Sequence, residues 1–281
     1  MSPAPLSRVT HKYFGNAAAL PTMPEIAHRL LRSVDDPDVG LRELSALIAQ
    51  DQGLSVKLLR MANSARYSPR RKICTLQDAA TTIGLNSLRD LSLAACVAGA
   101  FPKVDCFDRR RFWRQSLASA SHARLLARAC GVDADTAYLA GLVMRTGELL
   151  MLMVEPEAVA IAELRASAPD SLLGHEQALM QCHHLDVTAE LARRWHFPAE
   201  LIAGLAAAAD PLATRPFSRL GAVLRLASVI SDAGERDLPA VATLLDLHAE
   251  LVAHMQLDLA WLADQLMPFD TLTSSVEPML H

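Results

Sequence analysis

Strand-like alternation of apolar and polar residues is nearly absent from this chain, which removes β-sheet architectures from consideration. Cysteine is sparse and scattered. Cys74, Cys96, Cys106, Cys130 and Cys182 are odd in number and show no Cys-x-x-Cys spacing, and no basic-then-apolar segment opens the chain, so a cytoplasmic, reducing setting is expected. Long apolar runs are missing too. Leu91–Phe101 is too short to cross a bilayer and Leu139–Val154 is interrupted by Arg145 and Glu148, so no membrane span is expected. There is no excess of positive charge: 27 Lys and Arg stand against 31 Asp and Glu, a formal charge of −4 that gives no wholesale attraction to nucleic acid or to an anionic membrane. Any anion site must therefore be local. No glycine-rich phosphate loop, no Ser-His-Asp or Cys-His arrangement, no internal repeat and no low-complexity tract can be found.

What the chain does contain is helical periodicity. With 281 residues, 51% of them hydrophobic and 21% charged, it can bury one large core or two modest ones. Apolar residues recur at three and four, as in Leu54, Leu58 and Met61, or Leu117, Ala120, Ala123 and Ala127. The punctuation agrees. Pro24 suits a first helical turn, Asp51 can cap Gln52–Asn63, Thr75 with Asp78 resembles a capping box, and Gly84 and Gly131 suit helix C-termini. Ser64–Cys74 reads as a loop, and a second break falls at Pro102–Asp105. Helical patterns then continue through Ala129, over Asp133–Val154, Pro156–Ala166, Leu172–Cys182, Val187–Trp195 and Pro198–Ala209, and in a C-terminal group from Phe217 to Leu266.

Three features carry chemistry. From Gln52 to Gln77 the chain has six basic residues, Lys57, Arg60, Arg66, Arg70, Arg71 and Lys72, and no acid. With Tyr67 inside it, this run could hold a nucleotide, RNA or an acidic protein surface. A solvated loop and helix face is the simpler account, because no aromatic platform accompanies the charge. Cys182-His-His184 with Asp186 offers zinc-ligand types, but adjacent helical residues diverge in direction and no second ligand pair follows. Met144, Met151 and Met153, close to Leu149, Leu150 and Leu152, read as core.

A set of phrases places the chain among known proteins. Leu20-Pro-Thr-Met-Pro24, Ile48-Ala-Gln-Asp51, Leu58-Leu-Arg-Met-Ala-Asn-Ser-Ala65 and Ala79-Ala-Thr-Thr-Ile-Gly-Leu85 occur in the order and approximate spacing of an HDOD domain. Phe112-Trp-Arg-Gln-Ser-Leu117, the stretch Tyr138–Leu150, Ala192-Arg-Arg-Trp195 and Phe197-Pro-Ala-Glu-Leu201 continue the resemblance, which covers about Tyr13 to Pro211. It implies an all-α regulatory module of bacterial signalling, with an N-terminal helical lobe packed on a lobe similar to HD-type metal phosphohydrolases and a C-terminal helical extension. The boundaries expected are a tail over 1–14, the HDOD domain over 15–215 with its lobes meeting near 103/104, and C-terminal helices over 216–281 that complete or extend the HD-like lobe.

The resemblance also implies that the metal chemistry is lost. An HD-type site gathers imidazoles and carboxylates around one or two metal ions. Where such lobes carry their ligands, this chain has Gln115, Met144 and Arg145, Ala208 and Ala209, and Ser228, and among the matched positions only His184 keeps a potential ligand. A thioether does not suit a hard metal and a guanidinium repels it. The expectation is a protein without metal or other cofactor and without catalysis, which binds other signalling proteins, with Arg145, His184 and Gln115 as candidates for holding a small anion or nucleotide. A pairing of Arg145 with Glu148 one turn along is the plainer alternative for that arginine. Competing readings are a divergent phosphohydrolase that uses His122, His183, His184 and Asp210, and a nucleotide- or RNA-binding regulator that uses Lys57–Lys72. His122, seven residues after Gln115, reads more simply as a partly buried, hydrogen-bonded histidine.

Overall fold

A computed structural model describes residues 9–15, 21, 25–32, 40–64, 72–102 and 107–276, and every regular element among them is helical. The described chain forms two compact units, and each draws in a segment from a far end of the sequence. One consists of residues 21–118 with 267–281, the other of 1–20 with 119–266.

In the first unit α1 (Glu25–Arg32), α2 (Leu41–Ile48), α3 (Gln52–Ala62) and α4 (Leu76–Ile83) pack around α5 (Leu85–Ala100). The sequence Leu91-Ser-Leu-Ala-Ala-Cys-Val-Ala98 has no polar face, and a helix that is apolar all round has to be central. Residues Leu88–Ala98 are buried accordingly. The sequence signals for the helix ends act as the spacing predicts. The Asp51 carboxylate accepts from the Leu54 N–H at 2.9 Å, and Thr75 Oγ1 accepts from the Asp78 N–H at 3.0 Å. Gly84, at φ +88°, ends α4 and begins α5 in a conformation that a side chain would oppose. Asn63 joins the end of α3 to Ile73. Its amide donates to the Leu59 and Ile73 carbonyls at 2.7 and 2.9 Å, and its Oδ1 accepts from the Ile73 N–H at 2.9 Å. The short helix Phe269–Thr273 joins this unit, with Phe269 and Leu272 buried and Arg114 bonded to Thr273 at 3.1 Å and paired with Asp270.

Helix α6 (Arg109–Cys130) passes from one unit to the other, the division falling between Ala118 and Ser119. In the second unit follow α7 (Ala134–Val143), α8 (Thr146–Val154), α9 (Pro156–Arg165), α10 (Leu172–Met180), α11 (His184–Arg194), α12 (Ala199–Ala207), α13 (Arg219–Glu235), α14 (Ala240–Met255) and α15 (Leu259–Gln265). Helix α11 packs on α8 and α12, α13 on α7, α12 and α14, and α9 on α8 and α10. The span Ala134–Val154 is long and apolar enough to cross a membrane, yet 83% of its most apolar 18-residue stretch is buried inside the fold. A turn at Met144–Arg145 splits it into α7 and α8, where the periodicity predicts one continuous helix.

Other expectations meet differences of the same kind. Within the expected N-terminal tail, Thr10–Phe14 form a 3-10 helix with Tyr13 and Phe14 buried. The Tyr13 hydroxyl donates to Glu155, Lys12 pairs with Glu155 at 2.6 Å, and the Arg194 guanidinium lies 4.5 Å from the Phe14 ring centroid. The division between the units falls inside α6, a helix of 22 residues that is long enough to serve two cores, and the expected 103/104 boundary lies outside the described residues. The C-terminal helices α13 to α15 belong to the second unit, and 267–281 to the first. Pro24 lies outside the described residues.

Candidate functional site

The turn between α7 and α8 is set by packing against α11. The Gly147 N–H donates to Thr188 Oγ1 at 2.8 Å, and Thr188 Oγ1 donates to the Met144 carbonyl at 2.9 Å. A Cβ on Gly147 would stand 2.2 Å from the His184 carbonyl oxygen, so only glycine permits this approach. The turn leaves Arg145 just ahead of α8, three residues before Glu148.

Arg145 Nε and Nη2 both donate to Glu148 Oε2, at 3.0 and 2.7 Å, and the Glu148 side chain is fully buried. Burial alone would lower the Arg145 pKa, but Glu148, Asp232 of α13 and Glu163 of α9 surround it with negative charge and hold it above the usual range. For Glu148 the balance is similar. Burial pushes the carboxyl up, and Arg145, with Glu163 and His184, more than reverses this and holds it below its ordinary value. Asp232 goes the other way: burial raises it, and Arg145, the Asp170 N–H and Arg236 offset that only in part.

This cluster continues through Asp170, a residue in the left-handed region at φ +63°. Its N–H donates to Asp232 at 3.0 Å, and its carboxylate accepts from Arg225 Nη2 at 2.7 Å and lies 2.7 Å from His248 Nε2. His248 marks a kink in α14, with φ −139° and ψ 35°.

His184 is committed elsewhere. Glu176 Oε2 accepts from the His184 N–H at 2.9 Å and lies 2.8 Å from its Nδ1, and both side chains are buried. His183 caps α11 in a reciprocal capping box: its Nδ1 accepts from the Asp186 N–H, and Asp186 accepts from the His183 N–H at 3.1 Å. Burial lowers the His183 pKa, which favours the unprotonated Nδ1 that this accepted bond requires. His122 is buried with Nδ1 2.9 Å from Ser231 Oγ. Asp210 is exposed and accepts from the Ala213 N–H at 3.1 Å. The four residues of the divergent-hydrolase reading thus each hold a local structural contact. Among the described residues, no three His, Cys, Asp or Glu side chains are grouped to hold a metal ion.

Gln115 is buried in the part of α6 that belongs to the first unit, whereas Arg145 and His184 lie in the second. Met144 and Ala208 are buried apolar residues. Arg145 makes the pair with Glu148 that the spacing offers as its plainer alternative. Of the basic run, Lys57 and Arg60 lie on α3, and Arg60 and Lys72 are exposed. Arg66, Arg70 and Arg71 lie outside the described residues.

The HDOD domain profile matches residues 20–211. The chain belongs to the HDOD family. An uncharacterised protein of Treponema pallidum (strain Nichols) is 30% identical over 188 residues, which is 65% of this chain and 36% of that protein, so the HDOD chain spans about a third of the length of this curated relative. Among solved structures, a protein of Shewanella amazonensis SB2B titled as a candidate phosphohydrolase is 26% identical with a TM-score of 0.76, covering 96% of this chain and 98% of its own. A protein of Marinobacter aquaeolei VT8 titled as a candidate signal transduction protein is 19% identical with a TM-score of 0.72, covering 99% of this chain and 66% of its own.

Proposed function

We propose that this HDOD protein is a non-catalytic regulatory module of signal transduction that acts by binding other proteins. The observation that carries the reading is Arg145, which with Met144 stands where the resemblance to HD-type lobes puts a ligand pair and which is held to the buried Glu148 by two hydrogen bonds of 3.0 and 2.7 Å. A guanidinium fixed there repels a divalent cation. His184 keeps a ligand type, but its Nδ1 is held 2.8 Å from Glu176. The HDOD profile and the signalling title of the Marinobacter structure support the regulatory setting. The phosphohydrolase title of the Shewanella structure belongs to a protein whose ligand positions need not be those of this chain.

The test is hydrolysis of phosphate mono- and diesters by tag-free protein supplied in turn with Mn²⁺, Fe²⁺, Ni²⁺ and Mg²⁺. The expected result is no turnover above buffer and no stoichiometric metal by elemental mass spectrometry. Metal-dependent turnover that disappears in His184→Ala would overturn the reading in favour of a hydrolase. Capture of RNA that is released by salt and abolished by charge reversal of Arg70, Arg71 and Lys72 would overturn it in favour of a nucleic-acid regulator.

A further inference from the structure

Helix α9 packs on α8 and α10 through an inner side that buries Val159 and Ala162. Its outer side carries Glu157, Ala160, Ile161, Leu164 and Arg165, all exposed and spaced as one face of a helix requires. Ile161 is 41% exposed and Leu164 84%, the highest value of any large hydrophobic residue described. One exposed leucine is ordinary. Two large aliphatic side chains on one helical face, with Val154 of α8 and Leu179 of α10 exposed on the helices packed beside it, form a surface suited to a partner.

The charges on this face decide which partner fits. Glu157 stands four residues before Ile161 and Arg165 four residues after it, which separates the two by about 12 Å along the helix. Neither has an ion-pair partner among the described residues. The face is therefore complementary to itself: a half-turn about Ile161 sets Glu157 of one copy against Arg165 of another at both ends, whereas a parallel pairing sets like against like.

We propose that α9 is the interface of a two-fold symmetric dimer of this chain, with the two α9 helices antiparallel and crossing at Ile161. Ile161 and Leu164 of the two copies cover one another, the small Ala160 lets the helices come close, and the Glu157–Arg165 pairs at the ends fix direction and register. A single helix pair is a small interface, so the dimer is weak and depends on concentration. This inference goes beyond the regulatory reading and does not rest on it, since a hydrolase with the same α9 pairs in the same way.

Sedimentation velocity of the full chain over a concentration series tests it. The wild type is expected to pass from monomer to dimer as concentration rises, and Leu164→Glu to stay monomeric. Glu157→Arg and Arg165→Glu are each expected to self-associate about tenfold more weakly, because each sets like charges together at both ends. Mixed in equal amounts, these two variants are expected to recover the dimer, since every end then joins an acid to a base, and that recovery also shows that both are folded. A wild type that stays monomeric at its highest soluble concentration overturns the proposal. So does a dimer that the charge variants leave intact, which is formed by another face, and so does a mixture that associates no better than its components.

Discussion

Glu148 and Asp232 share one buried cluster and are driven in opposite directions, which gives a test at the level of single atoms. The Glu148 pKa in the fold lies below its ordinary 4.5, so the stability it contributes is present above that value and is lost as pH falls through the folded one. The Asp232 pKa lies above its ordinary 3.8, so its contribution is present below that value and is lost as pH rises through the folded one. Urea unfolding at neutral pH should show Glu148→Gln destabilised by about 3 kcal/mol, since it leaves Arg145 underpaired, and Asp232→Asn more stable than the wild type by about 1 kcal/mol. Both differences should shrink as the pH is lowered towards about 4. Two variants with shifts of the same sign at neutral pH would refute the assignment. From the sequence, Arg145, Glu148 and His184 stand out because each breaks an apolar or motif-bearing stretch. Glu163, Glu176, Asp170 and Asp232 do not, because periodicity shows which face of a helix is buried and not which faces meet. The same limit hid Asn63, whose residue type marks a motif while its role depends on Ile73 lying opposite.

At the scale of elements, the closeness of α8 to α11 depends on Gly147. Its substitution by alanine would bring Cβ within 2.2 Å of the His184 carbonyl and 2.7 Å of the Thr188 nitrogen, both backbone atoms that cannot swing aside. Gly147→Ala should therefore cost about 3 kcal/mol or more in chemical denaturation. Gly174→Ala, on an exposed part of α10 with nothing within 4 Å, should add about 0.5–1 kcal/mol by lowering the entropy of the unfolded chain. Equal effects of the two substitutions would show that helix propensity and not close approach governs Gly147. The caps at Asp51 and Thr75 and the glycine at 84 were legible in the sequence, since a cap is a local bond between near neighbours. The turn at Met144–Arg145 was not, because Thr188, 44 residues from Met144, provides the bond that stabilises it. The start of α11 was also missed, because His183 is an uncommon capping residue although its spacing to Asp186 is that of a capping box.

The whole molecule is larger than the family pattern that identifies it. The HDOD profile ends at residue 211, yet α13 buries Leu220, Val223, Leu224, Leu226 and Ile230 in the second unit, and the 3-10 helix ahead of the profile buries Tyr13 and Phe14 there. Phe269, Leu272 and Val276 do the same for the first unit. All-α character and the order of helices were readable, because each follows from local periodicity. The affiliation of the chain ends was not, because no local pattern states which core a terminal segment joins. Full burial of an aliphatic or aromatic side chain stabilises by about 1.5–3 kcal/mol, so the five α13 residues together are comparable with the usual net stability of about 5–15 kcal/mol. A protein of residues 20–211 should accordingly keep helical circular dichroism in part, bind a hydrophobic dye and unfold in urea without a cooperative transition, while residues 9–276 should unfold with the slope and midpoint of the full chain. Cooperative unfolding of 20–211 at a midpoint close to that of the full chain would mean that the flanking helices are appended to the HDOD core and not built into it.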